Sequence, residues 1–342
     1  MADDQEILRR KSEHLDVILG GRGAFERLET GFDAIRLPHC AAPELNLSEI
    51  DLAGDFLGKR LAAPILVSSM TGGPARAAEI NRALAEAVEA HGLAMGVGSQ
   101  RAALEGAGAG GIDRTLRRIA PTAALYANLG AVQLVAGLGP DAAARAVEMI
   151  EADALFLHFN PLQEAVQPGG DRDWRGVLAA VERVCAQSSV PVIAKEVGFG
   201  ISAPAARRLV EAGVAAIDVA GAGGSHWAKV EAARAQDSAE AAIAAAFVDW
   251  GLPTTDAVRE VRAALPEIPL IASGGLRHGV DAAKAIALGA NLAGFAAGVL
   301  RSAVDGPEAA TRALGTLVEQ LRTAAFCVGA PDLRALQATP TG

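Results

Sequence analysis

The sequence predicts a closed (β/α)8 barrel, and three observations favour this fold. Eight short apolar runs of strand length alternate with segments that have helical spacing. The first four runs begin 30 residues apart, at Pro64, Ala94, Ala124 and Ala154, which is about the length of one strand-helix unit. The apolar residues are mostly Ala, Val, Leu and Ile with only 4% aromatic residues, a balance typical of helices packed on a parallel sheet. A doubly wound open sheet is the alternative.

Each predicted strand is a distinct run in the sequence. In chain order the runs are PILVSS from Pro64, AMGVGS from Ala94, ALYANLG from Ala124, ALFLHF from Ala154, PVIAKEV from Pro191, AAIDVAG from Ala215, PLIASGG from Pro269 and LAGFAAG from Leu292. The connection 222–268 is the longest and contains a predicted helix near residues 239–250. A loop of this length on a barrel usually has a function.

The intervening helices have start and stop signals of their own. Residues 79–91 place Ile80, Leu84 and Val88 on one face, and this helix ends before Gly92. A later helix begins after Ser202, with Pro204 in its first turn.

We predict one domain of 342 residues: an extension over residues 1–60, barrel strands within 64–300, and a C-terminal helix and tail over 301–342. The extension begins with a charged, helical segment near residues 6–19. This segment carries a basic cluster, called the basic arm below, made of Arg9, Arg10, Lys11 and His14. Such charge runs are most often solvated helix faces. The alternative is an arm that closes over an anionic ligand.

Composition restricts the class of protein. A net charge of -9 argues against a general nucleic-acid binder. The cysteines Cys40, Cys185 and Cys327 are scattered and odd in number, so neither a disulfide framework nor a zinc site is indicated. The N-terminus is charged, and no stretch reaches the roughly 18 uninterrupted apolar residues of a membrane span. We therefore expect a soluble cytoplasmic protein without a membrane partner.

Polar residues and glycines follow nearly every predicted strand, at the rim where barrel enzymes carry their chemistry. In chain order they are Ser68, Ser69, Met70 and Thr71; Ser99, Gln100 and Arg101; Asn128 and Gln133; His158, Asn160, Gln163 and Glu164; Lys195 and Glu196; Gly221 to Gly224 with Ser225, His226 and Trp227; Ser273, Gly274, Gly275 and Arg277; and Gly294, Ala296, Ala297 and Gly298.

The glycines after the seventh run and the small residues after the eighth predict a phosphate site. Gly274 and Gly275, with Ala296 and Ala297, let backbone N–H groups approach an anion, and a helix begins near Gly279. We call these four small residues the phosphate cradle. A glycine turn that merely requires a positive φ is the alternative.

Lys195 lies in the middle of an apolar strand, where an unpaired ammonium is costly to bury. We expect it to face a ligand, such as a flat polar ring on which it stabilises negative charge, or to form a Schiff base. Glu164 and Glu231 lie on different loops near the expected anionic substrate, and this pair predicts a Mg²⁺ site. Either glutamate could instead be a solvated surface residue.

Ordered motifs on nearly every strand end resemble the type 2 isopentenyl diphosphate isomerases. They are RRKSEH, LPHCAAPEL, PILVSSMTGG, MGVGSQRAAL, ANLG, LHFNPLQE, PVIAKEVGFGIS, DVAGAGG followed by SHWAKVE, DWGLPTT and IASGGLRHGVDAAKAIALGA. The resemblance extends from about Arg9 to Leu300. It implies an isomerase of isoprene biosynthesis that uses reduced FMN and Mg²⁺, with NADPH serving only to reduce the flavin. It also implies a homo-oligomer, a tetramer or octamer.

The resemblance also implies roles for individual residues. Arg10, Lys11, Ser99, Gln100 and Arg101 would bind the substrate diphosphate; Ser69, Met70, Thr71, Ser99, Asn128 and Lys195 would bind FMN, and Gln163 the substrate; Glu164 would bind Mg²⁺; and His158, Trp227 and Glu231 would line the same pocket. The family commonly has Gly-Gly-Thr where this chain has Ser225 after two glycines, and Ala297 stands where arginine is expected. Ser225 keeps the hydroxyl, so we include it, with Arg277 and the phosphate cradle, among the FMN-binding residues.

The reaction moves a double bond by one carbon without net redox change. We expect the flavin to be the acid-base centre, with Gln163, Glu164 and Glu231 holding the diphosphate and relaying protons. An FMN-barrel oxidoreductase, such as a 2-hydroxy-acid oxidase or a dihydroorotate dehydrogenase, is the main alternative, but it would need neither the basic arm nor two carboxylates for Mg²⁺. A non-catalytic flavin or phosphate sensor is a third hypothesis.

Overall fold

Eight parallel strands of the described chain close into a barrel, as the sequence predicts. The computed structural model describes residues 2–69, 75–106, 108, 110–234 and 238–342, and of residues 2–8, 10 and 75 the backbone alone. The strands are β1 (Gly54–Phe56), β2 (Lys59–Leu61), β3 (Ile65–Val67), β4 (Ala94–Gly96), β5 (Ala124–Gly130), β6 (Ala154–Phe159), β7 (Val192–Glu196), β8 (Ala216–Asp218), β9 (Leu270–Ser273) and β10 (Leu292–Phe295). Strands β3 to β10 pair in chain order, and β10 closes on β3.

Helices surround the barrel and extend beyond it at both ends of the chain. They are α1 (Ala2–Leu19), α2 (Ala75–His91), α3 (Arg101–Leu104), α4 (Arg114–Ile119), α5 (Pro140–Ile150), α6 (Pro161–Val166), α7 (Val177–Gln187), α8 (Ala203–Glu211), α9 (Trp227–Ala232), α10 (Ser238–Ala245), α11 (Thr254–Ala264), α12 (Gly279–Ala287), α13 (Ala297–Val304), α14 (Pro307–Cys327) and α15 (Leu333–Gln337). Short 3-10 turns cover Phe32–Ala34, Leu47–Glu49 and Val132–Leu134.

The interior of the barrel is filled by side chains, so the barrel is not a pore. Tyr126 and Phe156 meet edge to face at 5.5 Å in the middle of this cluster. Phe56 and Leu61 of the β1–β2 hairpin belong to the same cluster and close the N-terminal end of the barrel. The sequence interpretation had no such hairpin. The open end is therefore the opposite rim, formed by the C-terminal ends of the strands.

The helices follow their sequence signals. Ile80, Leu84 and Val88 of α2 are buried, as their spacing predicts, and Gly92 after the helix has φ 61°. Helix α8 begins directly after Ser202 with a proline in its first turn. The predicted helix in the long connection is α10.

The N-terminal extension packs on the barrel helices. Phe32 is fully buried, and its carbonyl accepts a hydrogen bond from Lys284 Nζ of α12 at 2.9 Å. Helix α14 packs against α2 and α12 on the far side of the barrel. Among the helices of the described residues, none combines the length and the apolarity that crossing a bilayer requires.

Candidate active site

His158 and Asn128 meet at the C-terminal ends of β6 and β5. His158 Nδ1 lies 2.8 Å from Asn128 Oδ1, and Asn128 Nδ2 donates to the carbonyl of Val97 at 2.9 Å. Since the amide nitrogen is the donor to Val97, Oδ1 is the acceptor, and the proton of the imidazole is on Nδ1. The Nε2 atom of His158 therefore carries a lone pair.

His158 is neutral at physiological pH. Burial lowers the pKa of its imidazole to about 4, and the charges of Lys195 and Lys11 act in the same direction. A neutral imidazole with a free lone pair accepts a proton or a hydrogen bond, and it is not a ready proton donor.

This pKa predicts a pH-dependent stability. Between about pH 6.5 and 4 the unfolded chain binds a proton at His158 that the folded chain does not, so stability falls as the pH is lowered through this window. Relative to His158→Gln, we expect the wild-type free energy of unfolding to fall by about 2 kcal/mol between pH 7.5 and pH 5. Urea unfolding of both proteins measures it. Burial raises the pKa of Glu196 to about 7, so this carboxyl makes the folded state more stable as the pH is lowered, opposite to His158. Both proteins contain Glu196, so its contribution cancels when their stabilities are subtracted. If the difference in free energy of unfolding between the wild type and His158→Gln is the same at both pH values, the prediction is wrong.

Lys195 is buried and paired inside the mouth of the barrel. Its Nζ lies 3.1 Å from Asp218 Oδ2 and 3.5 Å from Ser273 Oγ. The Ser273 hydroxyl donates to Asp218 Oδ1 at 2.6 Å. Sequence reasoning missed Asp218, although a single acid in the apolar run AAIDVAG is the same kind of signal as the lysine in PVIAKEV.

Gln163, Glu231 and His14 form a buried polar chain. Gln163 Nε2 donates to Glu231 Oε1 at 2.9 Å, and His14 Nε2 lies 2.9 Å from the same oxygen. Arg234 Nη1 contacts the other oxygen, Oε2, at 2.7 Å. Burial raises the pKa of the Glu231 carboxyl, but the contacts with His14, Gln163 and Arg234 outweigh it and hold the pKa below its usual range. Trp227 lies beside this chain, with its ring edge to face against His14 at 5.2 Å.

Glu164 and Glu231 each have protein partners for both carboxylate oxygens. Glu164 Oε1 accepts from Asn160 Nδ2 at 2.9 Å and Oε2 from the backbone N–H of Asp171 at 2.8 Å. Both oxygens of Glu231 are engaged as described, and cationic Arg234 holds one of them. The pairing of Glu164 with Glu231 as Mg²⁺ ligands stays a prediction. Across the described ranges no group of three or more His, Cys, Asp or Glu residues could hold a metal ion.

A different oxygen is available beside Glu164. Asn160 Oδ1 is buried and has no hydrogen-bond partner among the described residues, while its amide nitrogen also donates to Gln163 Oε1 at 3.1 Å. A buried acceptor without a partner requires an explanation, and an oxygen-binding cation is one. Glu164 and Asn160 together offer two oxygen donors one helical turn apart.

Helix α1 lies over the rim of its own barrel. Lys11 Nζ donates to the carbonyl of Ser99 at 3.1 Å, and Glu13 accepts from Arg234 Nε at 2.8 Å. These interactions and the His14 contact hold Lys11 and His14 of the basic arm against the site. Arg9 is on the outer face and more than half exposed. The side chain of Arg10 lies outside the described residues.

Gln100 and Arg101 differ in their surroundings. The amide of Gln100 is fully buried, donating to the Ala146 carbonyl at 2.8 Å and accepting from the Asn128 N–H at 2.9 Å. Its side chain thus braces β5, and its role in binding the substrate stays a prediction. Arg101 is one third exposed and pairs with Asp171 at 3.1 Å, next to Glu164.

The phosphate cradle has the close backbone packing that glycine permits. Gly274 and Gly275 have φ of 105° and 76°, and a Cβ at Gly274 would clash with the backbone of Gly221. Ala297 begins α13, whose first N–H groups lack intrahelical partners. In contrast, the N-terminus of α12 is already capped, because Gln320 Oε1 accepts from the Gly279 N–H at 2.8 Å.

Other predicted cofactor residues are less uniform. The hydroxyl of Ser69 is buried and has no partner among the described residues, like that of Ser68. Arg277 points outward and pairs with Asp33 at 2.7 Å, with a side chain 56% exposed, so the structure does not bring its charge to the cradle. Met70 and Thr71 lie outside the described residues.

Known proteins resemble this chain in sequence and in fold. An isopentenyl-diphosphate delta-isomerase from Xanthobacter autotrophicus is 57% identical over 338 residues, covering 99% of this chain and 98% of the relative. One from Stutzerimonas stutzeri is 60% identical over 333 residues, with 97% and 96% covered. The chain belongs to the isopentenyl-diphosphate delta-isomerase family.

Two wider similarities agree with the fold of this isomerase-family chain. The sequence profile of the FMN-dependent dehydrogenase family matches residues 171–340, which include the phosphate cradle. A mandelate oxidase superposes with a TM-score of 0.69 at 20% identity, covering 100% of this chain and 98% of that one. At this identity the superposition shows the shared barrel alone.

The departure at Ser225 and His226 has a structural reason in this isomerase-family chain. His226 is fully buried and caps α9, because its Nδ1 accepts from the Lys229 N–H at 3.1 Å. Its Nε2 then carries the proton and donates to the carbonyl of Phe247 at 2.9 Å, which ties α9 to the end of α10. Ser225 forms a bridge with Ala24 of the extension. The imidazole therefore supports the loop.

Substituting the cradle glycine should damage the fold and the site of the isomerase-family chain together. Gly274→Ala combines a positive φ with a backbone clash, so we expect the free energy of unfolding to fall by about 2 to 4 kcal/mol and the FMN content to be lower. Gly58→Ala is the matched control: its φ is 83°, but open space surrounds the new Cβ, and about 1 kcal/mol is expected. Urea unfolding and flavin absorbance measure both. If both variants lose the same free energy of unfolding, the backbone near Gly221 has moved to make room for the new Cβ at residue 274.

Proposed function

We propose that the chain interconverts isopentenyl diphosphate and dimethylallyl diphosphate, with reduced FMN as acid-base cofactor, Mg²⁺ on the diphosphate, and NADPH needed only to reduce the flavin. The observation that carries the proposal is the 57% identity, over nearly the whole chain, to a protein named as this isomerase. The chemistry of the rim supports it, since the residues present suit an anionic substrate and a reaction that moves protons.

The residues present fit FMN. Ser69 supplies a buried hydroxyl that has no partner among the described residues, and the phosphate cradle admits a phosphate close to its backbone. Lys195 and Asn128 face the mouth, and the Ser99 carbonyl that holds Lys11 lies on the same rim. When bound, reduced FMN supplies a proton donor at N5 and an electron-rich ring that stabilises positive charge on the substrate.

Proton handling by the chain involves two places. Glu231 is ionised, so it accepts a proton at Oε1, the oxygen that Gln163 and His14 hold. His158 offers its Nε2 lone pair as an acceptor, while Asn128 fixes the ring through Nδ1. Gln163 orients the carboxylate through its amide, and the ring of Trp227 packs against His14 and fixes its position.

Binding of the diphosphate follows from charge. Lys11 and Arg101 supply positive charge on the rim for the diphosphate, and the family resemblance gives Arg10 the same role. The residues also fit Mg²⁺, which uses one or two protein oxygens and takes phosphate oxygens and waters for the rest of its shell. Glu164 and the buried Asn160 Oδ1 are those oxygens. We also propose a homo-oligomer, a tetramer or octamer, which sedimentation of the FMN-loaded protein tests.

One experiment tests the function as a whole. The reduced protein is incubated without oxygen with isopentenyl diphosphate and Mg²⁺, and dimethylallyl diphosphate is measured together with NADPH. We expect many turnovers for each equivalent of NADPH consumed. Consumption of one NADPH per product, or oxidation of a hydroxy acid, would indicate an oxidoreductase. Binding of FMN with no turnover would indicate a sensor.

A further inference from the structure

A buried ion pair lies at the mouth of the barrel, at the position where sequence reasoning expected a lone lysine. The parallel register of β7 and β8 sets Lys195 opposite Asp218. The Asp218 side chain is fully buried and that of Lys195 is 8% exposed. Asp218 Oδ2 lies 3.1 Å from Nζ without the alignment of a hydrogen bond, so this contact is charge pairing.

The second carboxylate oxygen fixes the pair in place. Asp218 Oδ1 accepts from Ser273 Oγ at 2.6 Å and from the Ala220 N–H at 3.2 Å. The hydroxyl of Ser273 in turn lies 3.5 Å from Lys195 Nζ. An ammonium has three N–H groups, and Ser273 accepts from one of them. The remaining N–H groups can donate to a ligand at the mouth while Asp218 Oδ2 compensates the charge.

Burial makes the partner necessary. An unpaired ammonium or carboxylate at this depth would pay a large desolvation penalty, and removing one member of such a pair leaves an uncompensated charge. The charge of Lys195 is felt within the site, because it contributes to the low pKa of His158. Whatever binds at the mouth therefore meets a lysine whose charge and direction depend on Asp218.

We propose that Asp218 is a positioning residue that fixes the Lys195 ammonium at the mouth and compensates its charge, so that bound FMN meets an ion pair instead of a lone cation. This inference rests on the proposed FMN function and deepens it. It adds a compensating carboxylate to the expectation that Lys195 stabilises negative charge on a bound ring. The pair lets the lysine donate a hydrogen bond while the net charge of the site stays near zero.

The test compares affinities for oxidised and reduced FMN, because a purely structural defect weakens both equally. For Asp218→Asn at pH 6 we compare the Kd for oxidised FMN with the Kd for reduced FMN. We expect the ratio of the first to the second to rise at least about tenfold, because an uncompensated cation favours the more negative reduced flavin. That change equals an increase of about 30 mV in the two-electron potential.

Two further variants complete the comparison. Asp153→Asn removes a carboxylate paired with Lys59 at 3.0 Å and Arg117 at 2.8 Å at the opposite end of the barrel, and its ratio should equal that of the wild type. The double variant Asp218→Asn with Lys195→Gln removes both charges, so its ratio should return to within about threefold of the wild type. It also replaces the single variant if Asp218→Asn alone does not fold.

Distinct outcomes separate this inference from the proposed function. A wild-type chain that binds no FMN would overturn the proposed function itself. If the wild type binds FMN but the ratio in Asp218→Asn is unchanged or lower at pH 6, the inference fails and the function stands. A further outcome is a double variant that loses more than about tenfold in its affinity for reduced FMN while its affinity for oxidised FMN stays unchanged. That result would show that Lys195 acts as a lone cation and would also overturn the inference.

Discussion

Replacing Gln163 by Ala is expected to lower turnover about 100-fold while FMN content and folding stay near wild type. Gln163 donates to Glu231 Oε1, and a hydrogen bond to a charged group contributes about 1.5 to 3 kcal/mol. Its loss leaves the carboxylate held by His14 and Arg234 alone, so the orientation of Oε1 toward the reacting atoms is less well fixed. The same substitution also removes one acceptor of Asn160, so the polar chain loosens at two points.

The matched control is Gln337→Ala. Gln337 donates to the carbonyl of Ala290 at 3.2 Å, at the N-terminal end of the barrel. The control variant therefore also loses an amide hydrogen bond, but away from the site. Initial rates, flavin absorbance and urea unfolding are measured on both variants. A Gln163→Ala protein that loses flavin but keeps its turnover per bound flavin would show that Gln163 serves cofactor binding. Equal loss of activity in both variants would point to a general defect.

The eight barrel strands could be predicted because a parallel barrel buries both faces of each strand. Runs such as ALYANLG and ALFLHF therefore appear as continuous apolar segments, and both are strands in full. The β1–β2 hairpin could not be predicted on this basis. Its strands, GDF and KRL, have three residues each and carry charges, and its turn at Leu57 and Gly58 uses positive φ at both positions without the usual Asn-Gly signal.

The site was predictable as a set of residues, but not as a set of partners. Strand ends indicate which side chains reach the rim, and this identified His158, Gln163 and Lys195. Which groups pair there depends on strand register and on the position of α1, and neither has a local signal. Asp218 beside Lys195 and Arg234 beside Glu231 were missed for this reason. The pairing of Glu164 with Glu231 on one Mg²⁺ ion stays a prediction, and no local sequence signal indicates that Arg234 also contacts Glu231.

Replacing Glu164 by Gln is expected to raise the Mg²⁺ concentration for half-maximal rate by about 10- to 100-fold or more, since loss of even an outer partner of a metal ligand typically has an effect of this size. The substitution keeps the shape of the side chain and an oxygen that can accept from Asp171 N–H. What it removes is the negative charge that a hard cation requires. FMN content should remain near wild type, because the phosphate cradle lies on different strands.

Glu89→Gln is the matched control for the loss of a hydrogen-bonded carboxylate. Glu89 accepts from the Ala123 N–H at 2.9 Å and from the Thr122 hydroxyl at 2.7 Å, away from the rim, so its Mg²⁺ dependence should equal that of the wild type. Asn160→Ala should raise the Mg²⁺ requirement in the same direction as Glu164→Gln, but less, because it removes a neutral oxygen. Initial rates over a Mg²⁺ series decide the matter. If Glu164→Gln lowers the maximal rate without changing the half-saturating Mg²⁺ concentration, Glu164 acts on the reacting substrate and not through the metal.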